Sequence, residues 1–169
     1  MELGEAVKRS GVRKLLLFNS HGGQCAHADI VARRLRIEQD MLVVCSHGFR
    51  SWPVQDSFSD REQRYGIHGG GIEMAVMQHL RPELVQQDHA DDFVSRAEQL
   101  NELKHVFPHS PAVSYGWMAH DLNEAGTVGD ARDADPARGS EIVNTAAQNL
   151  SALLAEMVSL DVDKVLNLG

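Results

Sequence analysis

Cysteine, clustered positive charge and long apolar runs are what this chain lacks. Only two cysteines occur in 169 residues, Cys25 and Cys45, and their spacing follows no pairing pattern. That argues against a disulfide framework and against a zinc site built from thiols, leaving two reduced, partly buried cysteines as the expectation. Nothing approaches the ~18 or more consecutive apolar residues of a membrane span, so insertion into a bilayer is not expected. Met1 to Val12 has the mixed charges of a helix and no signal-type apolar core, which points to the cytoplasm. Lysine and arginine total 16 against 24 acidic residues, a formal charge of −8. The arginines are scattered rather than gathered in a stripe, so nucleic acid is a poor partner. Repeats, low-complexity tracts and linkers are missing as well. A single domain over residues 1–169 is expected, long enough to bury about 70 % of its unfolded surface.

What the chain does have is an apolar run that enters a polar, glycine-rich turn. Leu15-Leu16-Leu17-Phe18 leads directly into Asn19-Ser20-His21-Gly22-Gly23-Gln24. In open α/β sheets, ligands lie beyond the carboxyl ends of strands, where loops converge and helices present unpaired N–H groups. Tyr65-Gly66-Ile67-His68-Gly69-Gly70-Gly71-Ile72-Glu73 repeats the device, with Glu73 in the first turns of the next helix.

The surrounding pattern reads as a helix over Glu2 to Arg9, a strand over Lys14 to Asn19, a helix over His27 to Ile37 and a strand over Met41 to Cys45. That order suggests a parallel βαβ unit. Ser46 to Tyr65 shows neither period and reads as a long loop. Ile72 to Leu80 is helical and ends at Arg81-Pro82, since the residue before proline resists the helical conformation. Asp88 to Leu103 reads as a charged surface helix and Ala112 to Trp117 as a third strand. A turn-rich stretch from Thr127 to Gly139 precedes a final amphipathic helix marked by Ile142, Ala146, Leu150, Leu153 and Met157.

His21 is compatible with a metal ligand, a general base or a loop cap. His68 precedes its helix and Glu73 lies within it, so a folded-back glycine loop could bring both into one cleft. Histidine with carboxylate suits zinc, manganese or iron, with a further histidine free to protonate a leaving amine. Glu73 is equally readable as a helix-start acid favoured by the macrodipole. The triple glycine lacks the lysine and serine of a phosphate loop. His27, His47, His79, His89, His105 and His109 read as solvated or structural, and His120 beside Asp121 as a weak site candidate. Trp52 and Trp117 are readable as pocket walls or as core.

Together the loops resemble a known family. Asn19-Ser20-His21-Gly22-Gly23-Gln24 is similar to the Asn-Gly-His-Gly-Gly-Asn motif of the creatininase (creatinine amidohydrolase) family, and His68-Gly69-Gly70-Gly71-Ile72-Glu73-Met74 to its His-Ala-Gly-x-x-Glu-Thr motif. Leu80-Arg81-Pro82-Glu83-Leu84-Val85 and Thr127-Val128-Gly129-Asp130 fit as well. The resemblance implies a three-layer α/β/α sandwich with a mostly parallel sheet, assembly into homo-oligomers, and metal-dependent hydrolysis of cyclic or linear amide C–N bonds in small molecules. It implies His21 and Glu73 as metal ligands, His68 as catalytic acid/base, and Trp52, Gly22 and Gly70 at the substrate.

The departures also carry expectations. Gly23 stands where creatininase has a ligand glutamate and Ile67 where it has a catalytic one. An amino-terminal strand segment bearing glutamate, histidine and aspartate ligands precedes the matched part in family members, so this chain is expected to be a short form. A divalent zinc, manganese or iron ion is then expected to bind weakly or not at all. Two functions follow: an amidohydrolase of reduced activity, or a non-catalytic creatininase-like domain used for assembly or ligand binding. The first requires His21 and Glu73 to approach one another.

Overall fold

The computed structural model describes residues 1–100 and 113–166, which group into two units, Met1–Trp52 with Thr145–Gly169 and Pro53–Asn144.

In the first unit, helix α1 (Glu2–Arg9) opens with Glu2 and Glu5 and closes with Lys8 and Arg9, charges that match the helix dipole at both ends. It sits on α2 (Cys25–Gln39), where the absence of a side chain at Gly4 admits the buried Leu35. Between them runs β1 (Lys14–Asn19), which pairs in parallel with β2 (Leu42–His47). The register sets Lys14 against Leu42 and Asn19 against His47, so the two strands end at the same level. The expected βαβ unit is therefore present, with β1 at its expected bounds and β2 shifted by one residue at its start and two at its end. Helix α7 (Pro136–Ser159) gives its first turns to the second unit and the rest to this one. Its carboxyl end is held by Lys14, whose Nζ donates to the carbonyls of Met157 at 2.8 Å and Val158 at 2.9 Å. A short α8 (Val162–Leu166) follows, and Arg13 pairs with its Asp163 at 2.8 Å.

The second unit contains α3 (Asp60–Tyr65), α4 (Gly71–Leu80), β3 (Asp92–Phe93), α5 (Arg96–Gln99), α6 (Ala119–Leu122) and β4 (Gly129–Asp130). Helix α4 ends at Arg81-Pro82 as expected. It meets the first turns of α7 at closest range where Gly139 lies against the carbonyl of the buried Ala75. Strands β3 and β4 form an antiparallel pair. Arg61 links α3 to this region by a fork onto Glu98 at 2.9 and 3.0 Å and bonds to Asp92 at 3.0 and 3.1 Å. Arg138 lies over the Phe58 ring, 4.4 Å from its centroid.

Three expectations are corrected. The charged segment from Asp88 is not one helix: its described part holds a 3-10 turn at Gln87–His89, β3 and the four-residue α5. Pairing of Asp92 with Asp130, capping of α5 by Ser95 and the bonds of Arg61 to Asp92 and Glu98 divert a stretch whose pattern was read as a helix. No strand forms over residues 113–117; Ala112 and Leu103 lie outside the described residues. The Ser46 to Tyr65 stretch is not all loop, because it contains a 3-10 turn at Gly48–Ser51 and helix α3. The parallel sheet seen among the described residues has two strands. A three-layer sandwich stays an implication of the family resemblance. No helix of the described residues is long and apolar enough to cross a membrane.

Candidate functional site

The first glycine loop is built on Asn19, the last residue of β1, which is 5 % exposed. Its Oδ1 accepts from the His21 amide at 3.1 Å and from Gln24 Nε2 at 3.0 Å. Its Nδ2 donates to the His21 carbonyl at 2.9 Å and lies 3.6 Å from Cys25 Sγ and 3.0 Å from His47 Nδ1. Such a residue satisfies the backbone of a tight turn that would otherwise leave polar groups unpaired. His47, at the end of β2, has a largely buried ring whose Nε2 faces Asp29 Oδ1 at 3.6 Å. Burial, with Asp29 nearby, raises the Cys45 thiol above its ordinary value.

His21 itself is exposed and caps the 3-10 turn Gly22–Gln24, its Nδ1 accepting from the Gly23 amide at 3.1 Å. In a neutral imidazole an accepting Nδ1 places the proton on Nε2. The outward-facing nitrogen is then a donor, not a lone pair. Gly22 is exposed beside the Phe49 ring, and Trp52 is half-buried.

The second loop belongs to the other unit. His68 precedes α4 and Glu73 lies within its first turn, as expected. Glu73 turns back so that Oε2 accepts from the Gly69 amide at 2.7 Å, the reach of a capping residue toward the chain before its helix. The His68 carbonyl accepts from Val128 N–H at 2.8 Å and from Thr127 Oγ1 at 2.6 Å. Two segments singled out separately in the sequence, 66–73 and 127–130, are thus one bonded structure. The His68 ring is left exposed.

Glu62 of α3, unremarked in the sequence, lies beneath this structure at 3 % exposure. Its Oε2 accepts from the Asp130 amide at 2.8 Å and its Oε1, more weakly, from the Ile72 amide at 3.4 Å. Gly66, Gly70 and Gly129 crowd the carboxylate, and a methyl on any of them would collide with it. Gly70 is buried there. One signal for Glu62 was legible: Ser59-Asp60-Arg61-Glu62 has the spacing of a capping box, and Ser59 Oγ accepts from the Glu62 amide at 3.1 Å. A polar cavity of about 360 Å³ beside it is lined by Ser59, Arg61, Glu62, Asp130, Arg132 and Asp133. Its guanidinium groups are already matched by Asp92, Glu98 and Asp130.

Residues 1–154 match the family described as creatininase, creatinine amidohydrolase. The chain belongs to the creatininase family. Its fold is similar to that of a Bacteroides fragilis NCTC 9343 protein named, provisionally, creatinine amidohydrolase, at 25 % identity and a TM-score of 0.74. That match covers 95 % of this chain and 60 % of the other. A mutant creatininase complexed with creatine aligns at 23 % identity and a TM-score of 0.66, and a mutant creatininase of Zn-Zn type at 22 % and 0.61. Both matches cover 94 % of this chain and 62 % of theirs. The chain thus spans about three fifths of the length of these relatives. No curated protein matches it by sequence.

A catalytic zinc takes about three protein ligands. Among the described residues no group of three or more His, Cys, Asp or Glu side chains is placed to hold a metal ion. Of the two expected creatininase-type donors, His21 has its Nδ1 engaged by the Gly23 amide, while Glu73, whose Oε2 accepts from the Gly69 amide, retains its second carboxylate oxygen. His120 and Asp121 are exposed and face each other at 3.7 Å. His27, His79 and His89 are exposed, and His105 and His109 lie outside the described residues.

Proposed function

We propose that this chain carries out amidohydrolase-type chemistry of the creatininase family on the C–N bond of a small cyclic or linear amide. The family match over residues 1–154 supports that class. The observation that carries the site is the anchoring of His68: its carbonyl is held by Val128 and Thr127 while its ring faces outward. An immobilised backbone with an exposed imidazole is what proton delivery to a leaving nitrogen requires, because a general acid must hold a fixed position against its substrate. Glu73 clamps the loop behind His68. His21 and Glu73 number fewer than the three protein ligands of a catalytic zinc, so no step is assigned to a metal. Self-association belongs to the same reading, supported by a half-exposed Phe18 on a two-stranded sheet.

The test is turnover of creatinine and a panel of small cyclic and linear amides by the whole chain, followed as ring opening or amine release. Turnover lost by about a hundredfold or more in His68→Ala is the expected result. Equal turnover in that variant overturns the role of His68. A second reading is a non-catalytic ligand-binding domain, consistent with the described residues, among which no group of three metal donors forms. Creatine binding by calorimetry without turnover of any amide would establish it.

A further inference from the structure

We propose that Glu62 is a positioning residue, setting the geometry of the loop and helix start that present His68 and Glu73. The inference rests on the family reading above for what that geometry serves, but its physical content stands on the buried carboxylate alone. A carboxylate removed from water is costly unless strongly bonded. The acceptor contacts of Glu62 are two backbone N–H groups rather than a cation, one at the second residue of α4 and one on β4. It therefore joins three pieces of chain at one point: α3, which carries it, the amino end of α4, and the 127–130 segment that grips His68. Helix α4 begins at a glycine N-cap with no capping side chain of its own. The Glu62 carboxylate meets its unpaired amide and its positive dipole end from outside the helix.

The glycines show how specific the fit is. Gly129 adopts a φ of +122°, which few side-chain-bearing residues tolerate, and a Cβ there would stand 2.7 Å from the Cα atoms of both Gly66 and Gly70. Three backbones close upon one carboxylate at distances that admit no side chain between them. Moving Glu62 moves Gly70, and Gly70 lies one residue from each of Gly69 and Gly71, the link between His68 and α4. A contribution confined to stability would not need the charged acceptor to touch both flanks of the functional loop.

The experiment compares amide hydrogen exchange of the ¹⁵N-labelled whole chain, wild type and Glu62→Gln. The glutamine keeps the shape but turns an N–H₂ toward one of the two N–H donors. Exchange at Asp130 should quicken about tenfold to a hundredfold, the worth of one hydrogen bond to a charged acceptor, and by less at Ile72, whose bond is longer, and at Val128, which is held through the His68 carbonyl. Amides of β1, such as Leu16, should be unchanged, and the His68 ring resonances should shift. Uniform acceleration, or none, overturns the proposal. If Glu62→Gln does not fold, the wild type still decides: Ile72 and Asp130 amides that exchange as fast as open loops overturn it. Where the wild type hydrolyses an amide, Glu62→Gln should lower kcat about tenfold with KM unchanged, as for a group felt through the catalytic residue. Should no amide be hydrolysed, the functional reading fails while the exchange result still judges Glu62.

Discussion

Asn19 holds His21 from both sides, accepting from its amide at 3.1 Å and donating to its carbonyl at 2.9 Å. The histidine's backbone is therefore fixed by a side chain two residues before it, whatever the imidazole itself contacts. Asn19→Ala should destabilise the chain by about 2–3 kcal/mol, since several net bonds are lost and their partners are left half-buried. Asn19→Asp, which keeps the acceptor and loses the donor, should fall between. Urea unfolding measures both, and an alanine variant as stable as the wild type would contradict the hub role.

The capping of the 3-10 turn by His21 predicts its tautomer. Long-range ¹H–¹⁵N spectra at neutral pH should show the proton on Nε2, as the Gly23 amide bond to Nδ1 requires. Zinc titration followed by calorimetry should give weak binding, unchanged in His21→Ala. One tightly held ion per chain that disappears in His21→Ala would reverse this view of the loop.

The Arg132 guanidinium, forked onto Asp130 at 2.8 and 3.0 Å, holds that carboxyl below its usual range although partial burial acts the other way. A carboxyl group lowered in the folded chain favours folding above its unfolded value of about 3.9. That contribution fades as the pH falls through the lowered folded value. Arg132→Gln should thus lower the urea midpoint at neutral pH, with the gap from wild type closing as the pH drops below about 3.9. A gap that widens in acid would show the sign to be wrong.

Gly139→Ala drives a methyl into the carbonyl of Ala75 where α4 meets α7. Neither helix can yield there without shifting backbone, so a loss at the upper end of about 1–3 kcal/mol is expected. Gly116, where an added methyl would meet nothing within 4 Å, is the control and should change by no more than about 0.5 kcal/mol as alanine. Denaturation of the two variants side by side decides it.

How much of this was readable beforehand depended on the kind of signal. Apolar runs and stripes located β1, α2, β2, α4 and α7, the mixed charges of the first residues pointed to α1, and proline marked the end of α4. Periodicity misled between Asp88 and Leu100, where the charges sit on short elements shaped by Ser95 and the Asp92–Asp130 pairing. Among candidate site residues, His21, His68 and Glu73 announced themselves through the glycines around them. Asn19 stood in the first motif with no role of its own, and the capping-box spacing of Ser59 and Glu62 does not reveal that the carboxylate accepts from the amides of Ile72 and Asp130. Asp92 and Asp130, 38 positions apart by number, meet only after folding.

The parallel register that sets Asn19 against His47 has an evolutionary corollary. Residues along a strand alternate between faces, so deleting or inserting one residue within β2 would swing the imidazole to the opposite side and leave Asn19 facing a different neighbour. Length changes in the chain that follows His47 carry no such penalty. Natural variants of this domain should accordingly differ in length after β2 and keep the count between Leu42 and His47 constant.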